Sequence, residues 1–202
     1  MKTIITHAAN FHADDVFAVA TLQLLLEKRG EKKMKVIRTL EPERFADADY
    51  IVDIGGVYSV KKNRFDHHQA GGAGVRKNGV PYASFGLVWK TYGKEIAGNA
   101  FALDWIDRHM VQAIDAMDSG MYLYTPIHDD VHPFLFEDYI FAVCGNVKDE
   151  YEQAGNKAVA DQKKLMKRFD AEFMRMVKVA KEALTVFIKR ANNREGIFKQ
   201  AK

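Results

Sequence analysis

The stretch Arg64-Phe-Asp-His-His-Gln69 places one carboxylate and two imidazoles in succession. Together they offer oxygen and nitrogen donors, a mixture that Mn²⁺, Zn²⁺ or Fe²⁺ accepts. In an extended segment successive side chains point to opposite faces, so at most two of Asp66, His67 and His68 can face one ion. The third side chain then either supports the metal ligands by hydrogen bonding or contacts the substrate. A solvated loop is the usual explanation of an isolated His-His pair, but similar side chains elsewhere in the chain favour a metal site.

The N-terminal segment supplies further donors at the end of a predicted strand. Residues 2–6 are apolar and β-branched, which predicts the first buried strand, and residues 16–26 predict a helix that ends near Gly30. Open α/β sheets place their ligands at the carboxyl ends of strands, although an aspartate before a helix is also a common N-cap. The loop between this strand and helix contains His7, His12, Asp14 and Asp15.

Two more strand ends carry the same residue types. We predict a second strand at residues 34–38 and a third at residues 50–53, which ends on Asp53 before Gly55 and Gly56. Such an aspartate is presented at the edge of the sheet, with a capped turn as the equal alternative. The brief strand at residues 64–65 then leads into the Asp-His-His triplet.

A fourth acidic segment lies at the end of a predicted helix. Residues 101–117 have apolar side chains at helical spacing. Asp115 and Asp118 are three positions apart, so we expect them to share a face. Two carboxylates near a helix C-terminus oppose the macrodipole, and a nearby cation would remove that conflict. Local rules that are broken without evident gain often mark a functional site.

The glycine-rich residues 70–79 lack the spacing of a Walker loop. We interpret them as a mobile flap whose Arg76 and Lys77 reach a phosphate, with a plain flexible loop as the alternative. A helix is predicted at residues 84–92 and is expected to end at Gly93.

Composition restricts the class of protein. The chain has 202 residues, of which 48% are hydrophobic and 28% charged, as in a globular domain. Its single cysteine, Cys144, excludes an internal disulfide and a cysteine-based zinc site, and favours a reducing compartment. There is no run of about 18 apolar residues and no signal-peptide pattern, so we expect a soluble cytoplasmic protein without a membrane partner.

The positive charge is concentrated near the C-terminus. Residues 161–202 contain 12 Lys/Arg and 5 Asp/Glu, a net charge of +7, whereas residues 1–160 have a net charge of −4. Helices are predicted at residues 134–143 and from about 157 to 190. The basic face of the second helix is either a solvated surface or a surface for a polyanion.

The arrangement resembles the DHH phosphoesterase superfamily, and more narrowly its Myg-type (melanocyte-proliferating-gene) branch of metal-dependent hydrolases. Most superfamily members have an aspartate where this chain has Phe11, and the Myg-type branch makes the same exchange, so the ligand role passes to His12. That branch usually has Asn-Gly at Ala8-Ala9 and Glu at Asp15. Five motifs occur in the family order: Thr6-His-x-x-x-Phe-His-x-Asp14, Val52-Asp-Ile-Gly-Gly56, Phe65-Asp-His-His-Gln69, Ser84-Phe-Gly-Leu-Val88 and Ile114-Asp-x-x-Asp-x-Gly120.

The resemblance implies a centre of two divalent ions. In such two-metal sites the ions lie about 3.5–4 Å apart. We expect Mn²⁺, with Mg²⁺, Zn²⁺, Fe²⁺ or Co²⁺ as alternatives. Asp53 would bridge the two ions. The remaining implied ligands are His7 and His12 for one ion, and Asp14, His67 and Asp118 for the other.

The resemblance also implies roles beside the ions. His68 would hydrogen-bond the phosphate, and Asp66 would orient His67 or His68. Together with Asp53 they form the expected catalytic set. Asp115 is either the fourth-motif ligand itself or a support for it.

We therefore expect an α/β fold, a three-layer sandwich with a mostly parallel sheet, followed by a helical C-terminal region. Residues 1–120 would form the DHH-type metal-binding domain, and residues 121–202 a reduced second domain. The expected function is divalent-metal-dependent hydrolysis of phosphodiester bonds, in short RNA or DNA. The alternatives are hydrolysis of a small phosphoanhydride or nucleotide, and metal-stabilised binding of nucleic acid without catalysis. A homo-oligomer is left open.

Overall fold

The structure is a computed structural model, which describes residues 1–128, 131–145 and 159–200. Its strands are β1 (Lys2–Thr6), β2 (Met34–Arg38), β3 (Tyr50–Val52), β4 (Tyr58–Ser59) and β5 (Arg64–Phe65). They form one sheet in the order β2-β1-β3-β5-β4. The pairs β1–β2, β1–β3 and β3–β5 are parallel, whereas β4 is antiparallel to β5 at the edge. The ends of β1, β3 and β5 therefore point the same way.

The helices account for most of the remaining described chain. They are α1 (Ala13–Lys28), α2 (Ser84–Ala97), α3 (Ala100–Ile106), α4 (Gln112–Asp118), α5 (Phe136–Cys144) and α6 (Val159–Gln200). The π-helical segment Asp107–Val111 joins α3 to α4, so the helix predicted at residues 101–117 is confirmed with a local change of pitch. Short 3-10 helices occupy Pro42–Asp47 and Val60–Lys62.

The core lies around α1. Its residues from Ala13 to Leu22 are all buried, and a helix that is apolar on every side is usually buried. It packs against α2, α6 and β3. On α6 the buried residues Phe169, Phe173, Met176, Ala180 and Leu184 recur at helical spacing. The C-terminal helix thus adds a layer to the core through one apolar stripe.

The two faces of the sheet are covered differently. Ile4 and Phe65 belong to the core shared with the helices. Ile5 and Ile51 are also buried, at 0% and 2% exposure, and alternation along a strand directs them to the opposite face. The Arg64 guanidinium donates hydrogen bonds to the carbonyl groups of Phe45, in the segment Pro42–Asp47, and of Ala48. The predicted α/β fold with a mostly parallel sheet and a helical C-terminal region is confirmed.

One predicted boundary is wrong. The helix expected to end at Gly93 continues to Ala97 and is capped by Gly98, whose φ of +89° favours glycine. A Cβ on Gly93 would lie 2.8 Å from the Leu103 side chain and 2.8 Å from Trp89. Gly93 therefore permits close packing of α2 on α3 within a helix.

The C-terminal helix also contacts the loop that carries the N-terminal histidines. The Arg38 guanidinium lies 5.2 Å from the Phe11 ring centroid and 4.9 Å from that of Phe173, pairs with Asp170 at 3.0 Å, and donates to the carbonyl of Ala9. This contact fixes the loop between β1 and α1.

The first residues of the helix predicted from about 157 lie outside the described part of the chain. Within the described residues, no helix has the length and apolarity required to cross a membrane.

Candidate metal centre

The candidate site lies at the carboxyl edge of the parallel strands. His7 follows β1, Asp53 follows β3, and Asp66, His67 and His68 follow β5. Because these three strands are parallel neighbours, their ends converge on the amino end of α1. The three strand ends that the sequence indicated are thereby brought together.

Asp53 occupies the middle of the site. Its Oδ2 lies 3.3 Å from Nε2 of His7, and its Oδ1 lies 3.3 Å from Nε2 of His67. Its backbone adopts a left-handed φ of +55°, a conformation that aspartate tolerates better than most residues. Burial opposes the charge of Asp53, but the nearby imidazoles of His67 and His7 outweigh burial and lower the pKa of Asp53 below its ordinary value. Asp53 is therefore an anion that faces two separate imidazoles.

On one side of Asp53, His7 and His12 complete a group whose ligand atoms all lie within 4.8 Å of one another. Nδ1 of His7 lies 3.0 Å from the carbonyl oxygen of Ala8, which leaves Nε2 to face the carboxylates of Asp53 and Asp15. Burial lowers the pKa of His7, but the carboxylates of Asp15 and Asp53 outweigh burial and raise that pKa to about 11. A proton on His7 thus balances the acidic groups, and a bound cation could take its place.

On the other side, Asp14, His67 and Asp118 form a second group with the same spacing. Nε2 of His67 lies 3.0 Å from Asp118. Burial of His67 lowers its pKa, but Asp118 and Asp53 outweigh burial and raise it to about 11. Burial, followed by the nearby carboxylates of Asp118 and Asp53, raises the pKa of Asp14 well above its ordinary value.

The α2 amino end supports this second group. The backbone N–H groups of Ser84 and Phe85 donate to Asp14 at 2.9 Å and 2.7 Å, and the Ser84 hydroxyl donates to Asp53 at 3.2 Å. Helix amino ends favour anions. Ser84 therefore contacts two candidate ligands, although its motif gave no indication of that role.

The Asp-His-His triplet divides its contacts. The buried Asp66 accepts hydrogen bonds from the backbone N–H groups of Gly56, His67 and His68, and lies 2.7 Å from Nδ1 of His68. Of the two histidines that Asp66 was expected to orient, its side chain contacts the His68 ring. Nδ1 of His68 lies 3.6 Å from Asp53, but the side chain is 61% exposed. Asp53, His67 and His68 form a third group of potential ligands.

Asp115 and Asp118 face different surroundings despite their spacing. Asp115 is fully buried, pairs with Arg76 at 2.7 Å, and accepts the Gly86 N–H at 2.9 Å. A Cβ on Gly86 would lie 1.8 Å from the Asp115 carboxylate, so only glycine fits there. Among the described residues Asp118 belongs to a potential metal group and Asp115 does not.

Arg76 and Lys77, the two basic residues expected to bind phosphate, have different surroundings. Arg76 has a side chain only 6% exposed, contacts both Asp107 and Asp115, and lies over the Tyr82 ring. Burial lowers the pKa of Arg76, but Asp115 and Asp107 outweigh burial and raise it. Its guanidinium is thus engaged in a buried ion pair. Lys77 is exposed.

Two acidic residues that were not assigned a role complete the surroundings. Asp15 is buried; its Oδ1 accepts the His12 N–H at 2.8 Å, and its Oδ2 faces His7. Glu137 on α5 accepts the Ala13 N–H at 2.6 Å, between His12 and Asp14. Burial raises the pKa of Glu137 to about 7. Asp15 is one of the candidate donors that the sequence places in the loop before α1, whereas Glu137 lies 124 residues from Ala13, too far for any local pattern to indicate.

The residues present suit divalent metal. Nε2 of His67 and Oδ2 of Asp15 are buried and make no hydrogen bond within the described part of the chain. The donors are imidazole nitrogens and carboxylate oxygens, as in many Mn²⁺ and Zn²⁺ sites. An open depression of about 360 Å³ lies against His7, Asp53 and His68, which gives a ligand access to this centre.

Comparison with known proteins places the chain among related sequences. The family MYG1_exonuc, described as an uncharacterised protein family (UPF0160), matches residues 3–201. A MYG1 protein of Dictyostelium discoideum is 35% identical over 144 residues, which are 65% of this chain and 41% of that protein. The MYG1 protein C27H6.8 of Caenorhabditis elegans is 28% identical over 190 residues, 86% of this chain and 54% of that protein.

A MYG1 exonuclease of Homo sapiens is 30% identical over 134 residues, which are 57% of this chain and 35% of that protein. This chain therefore spans between about a third and about half of the length of these relatives. No solved structure matches the chain.

Proposed function

The chain belongs to the UPF0160 family, and from that membership together with the geometry of the acidic and imidazole groups we propose that it is a divalent-metal-dependent phosphoesterase. Its substrates are phosphodiesters in short RNA or DNA. The proposal includes descent from the DHH phosphoesterase superfamily, and a metal-binding unit at residues 1–120 followed by a mostly helical region at residues 121–202.

The observation that carries the proposal is the position of Asp53. It shares one group with His7 and His12 and another with His67, and its two oxygens face opposite sides. A carboxylate in this position can serve two ions, and we take these to be Mn²⁺. Such ions, when bound, lower the pKa of a water molecule and neutralise charge on the phosphoryl oxygens.

The side chains around Asp53 have separate tasks in this proposal. His7 and His12 bind one ion, while Asp14, His67 and Asp118 bind the other. Asp14 is held by the α2 amino end, and the His67 backbone N–H donates to the Asp66 carboxylate.

His68 would contact the phosphate. Asp66 holds its Nδ1 at 2.7 Å, and the exposed ring can then offer Nε2 to a phosphoryl oxygen. Asp66 is therefore a positioning residue, and His68 a catalytic one.

Three observations together favour nucleic acid as the substrate. Several mammalian relatives carry the name exonuclease, the sequence motifs resemble those of the DHH phosphoesterases, and α6 exposes many basic side chains. The last of these is compatible equally with binding of nucleic acid without cleavage.

Turnover of bis-p-nitrophenyl phosphate with added Mn²⁺ tests the proposal. We expect release of p-nitrophenolate that EDTA abolishes and that Mn²⁺ restores. The same protein should shorten a 5-nucleotide RNA under these conditions. Mn²⁺-loaded protein that binds the RNA but cleaves neither compound would instead be a binding protein.

A further inference from the structure

A cavity of about 620 Å³, whose wall does not include His68, adjoins the metal centre. It lies between α1, α4 and α5. His12, Asp14 and Asp118 form part of its wall and also belong to the metal groups. Its size is typical of sites for small organic molecules. A molecule with its phosphate at the metal centre could therefore extend into this cavity.

Away from the metal centre the wall of the cavity is mostly apolar. The Phe136 ring packs edge-on against Phe17 with 5.1 Å between centroids, and the Phe141 ring packs edge-on near His12. Aromatic side chains provide stacking surfaces for planar rings. The other apolar lining residues include Met110, Ile114, Met117, Leu123 and Leu135.

Two polar side chains interrupt this apolar wall. Glu137 is fixed by the Ala13 N–H, and Tyr124 lies nearby. Glu137 already accepts the Ala13 N–H, and the Tyr124 hydroxyl lies 3.4 Å from Nδ1 of His132, but a purely aliphatic ligand would use none of their remaining hydrogen-bonding capacity. A heteroaromatic ring with N–H groups at its edge satisfies the rings and the polar groups together.

We propose that this cavity binds the nucleobase of the phosphoester whose phosphate lies at the metal centre. The inference rests on the proposed function for the position of the phosphate. The base is recognised by stacking and by one or two polar contacts, so several bases can be accommodated. The region after residue 120 thereby contributes to substrate choice through α5.

The experiment compares ligands that differ only in the base. Isothermal titration of the Mn²⁺-loaded protein with AMP and with ribose 5-phosphate separates the base from the phosphate. We expect AMP to bind about ten-fold more tightly or better, because stacking on an aromatic wall contributes at that scale. Adenosine has no phosphate and does not need the metal, so we expect it to retain weak, detectable binding after EDTA has removed the metal.

Two variants on opposite walls locate the site. Phe141→Ala on α5 and Ile114→Ala on α4 should each reduce the AMP preference about five-fold or more, with ribose 5-phosphate binding unchanged. Phe134→Ala is the matched control, because Phe134 is 72% exposed and lies outside the cavity wall.

Equal affinity of the wild-type protein for AMP and ribose 5-phosphate would overturn the proposal, as would full retention of AMP affinity in both cavity variants. These outcomes are independent of the hydrolysis test. If the protein prefers AMP but does not cleave phosphodiesters, the base site is supported and the proposed activity is refuted. If it cleaves phosphodiesters without a preference for AMP, the activity is supported and the base site is refuted.

Discussion

Arg76 and Asp115 form an ion pair from which water is almost excluded, since their side chains are 6% and 0% exposed. Replacing Arg76 by Ala leaves Asp115 buried without its cation. Removal of one partner from a buried pair typically costs about 3–5 kcal/mol. We therefore expect Arg76→Ala to reduce the free energy of unfolding in urea by an amount of that order.

Lys77→Ala is the control for this prediction. Lys77 is adjacent in sequence and exposed, and substitutions on an open surface usually change stability by less than about 0.5 kcal/mol. Equal unfolding curves for the two variants would contradict a structural role for Arg76. A loss of phosphate affinity without loss of stability would restore the role that the sequence suggested for Arg76.

The two adjacent histidines should separate metal binding from the chemical step. The His67 side chain is 11% exposed and faces Asp53 and Asp118, whereas His68 is 61% exposed and held by Asp66. We expect His67→Ala to weaken Mn²⁺ binding about ten-fold or more. His68→Ala should retain Mn²⁺ and lower kcat. Calorimetric titration that shows the same loss of metal in both variants would reject this division.

Local sequence patterns identified most of these residues but did not indicate which groups their side chains contact. The i, i+3 spacing of Asp115 and Asp118 predicted a shared face, yet the contacts of Arg76 and Gly86 with Asp115 separate their surroundings. Such contacts join segments far apart in the chain. For the same reason Glu137 gave no signal, since only the folded chain brings it to Ala13.

At the level of elements, α6 presents its basic residues opposite its buried stripe. Lys164, Lys167 and Lys178 are exposed. If this face guides a polyanion to the metal centre, each neutralised phosphate releases counterions, and affinity falls steeply with salt. We expect reversal of the three charges to Glu to weaken binding of a single-stranded oligonucleotide about ten-fold or more at low salt.

A matched triple variant provides the control for this prediction. Lys32, Lys33 and Lys35 are also exposed; the first two precede β2, and Lys35 lies within it. Their reversal changes the net charge by the same amount at a surface away from α6. Fluorescence anisotropy from 50 to 200 mM salt measures both variants. Equal weakening by the two sets, or binding that ignores salt, would leave α6 as a solvated surface helix.

Elements whose signal is local were predictable. Strands β1, β2, β3 and β5 begin and end close to the predicted residues, because apolar β-branched runs bounded by turn residues identify buried strands. The two-residue strand β4 is too short for a periodic signal. The prediction that α2 ends at Gly93 was wrong because that glycine serves packing against Leu103 and Trp89.

In the whole molecule the centre depends on contacts among most of the elements. Three strand ends, the amino ends of α1 and α2, and the end of α4 provide its potential ligands and their supports. The C-terminal region adds Glu137 and the contact of Asp170 with Arg38. The order of motifs along the sequence predicted which residues would meet, since parallel strands place their ends at one edge.

Asp53 provides the most direct test of the metal centre, because both sides of the centre share its carboxylate. We compare the Mn²⁺ content of the wild-type protein, Asp53→Ala and Asp53→Asn after equilibrium dialysis. Asn tolerates the left-handed backbone at this position, and Asp47→Asn at an exposed position is the control. We predict about two ions per chain in the wild-type and control proteins, loss of both ions and of phosphodiester hydrolysis in both Asp53 variants, and retention of the fold in all of them. Asp53 variants that retain two ions and wild-type turnover would contradict the account.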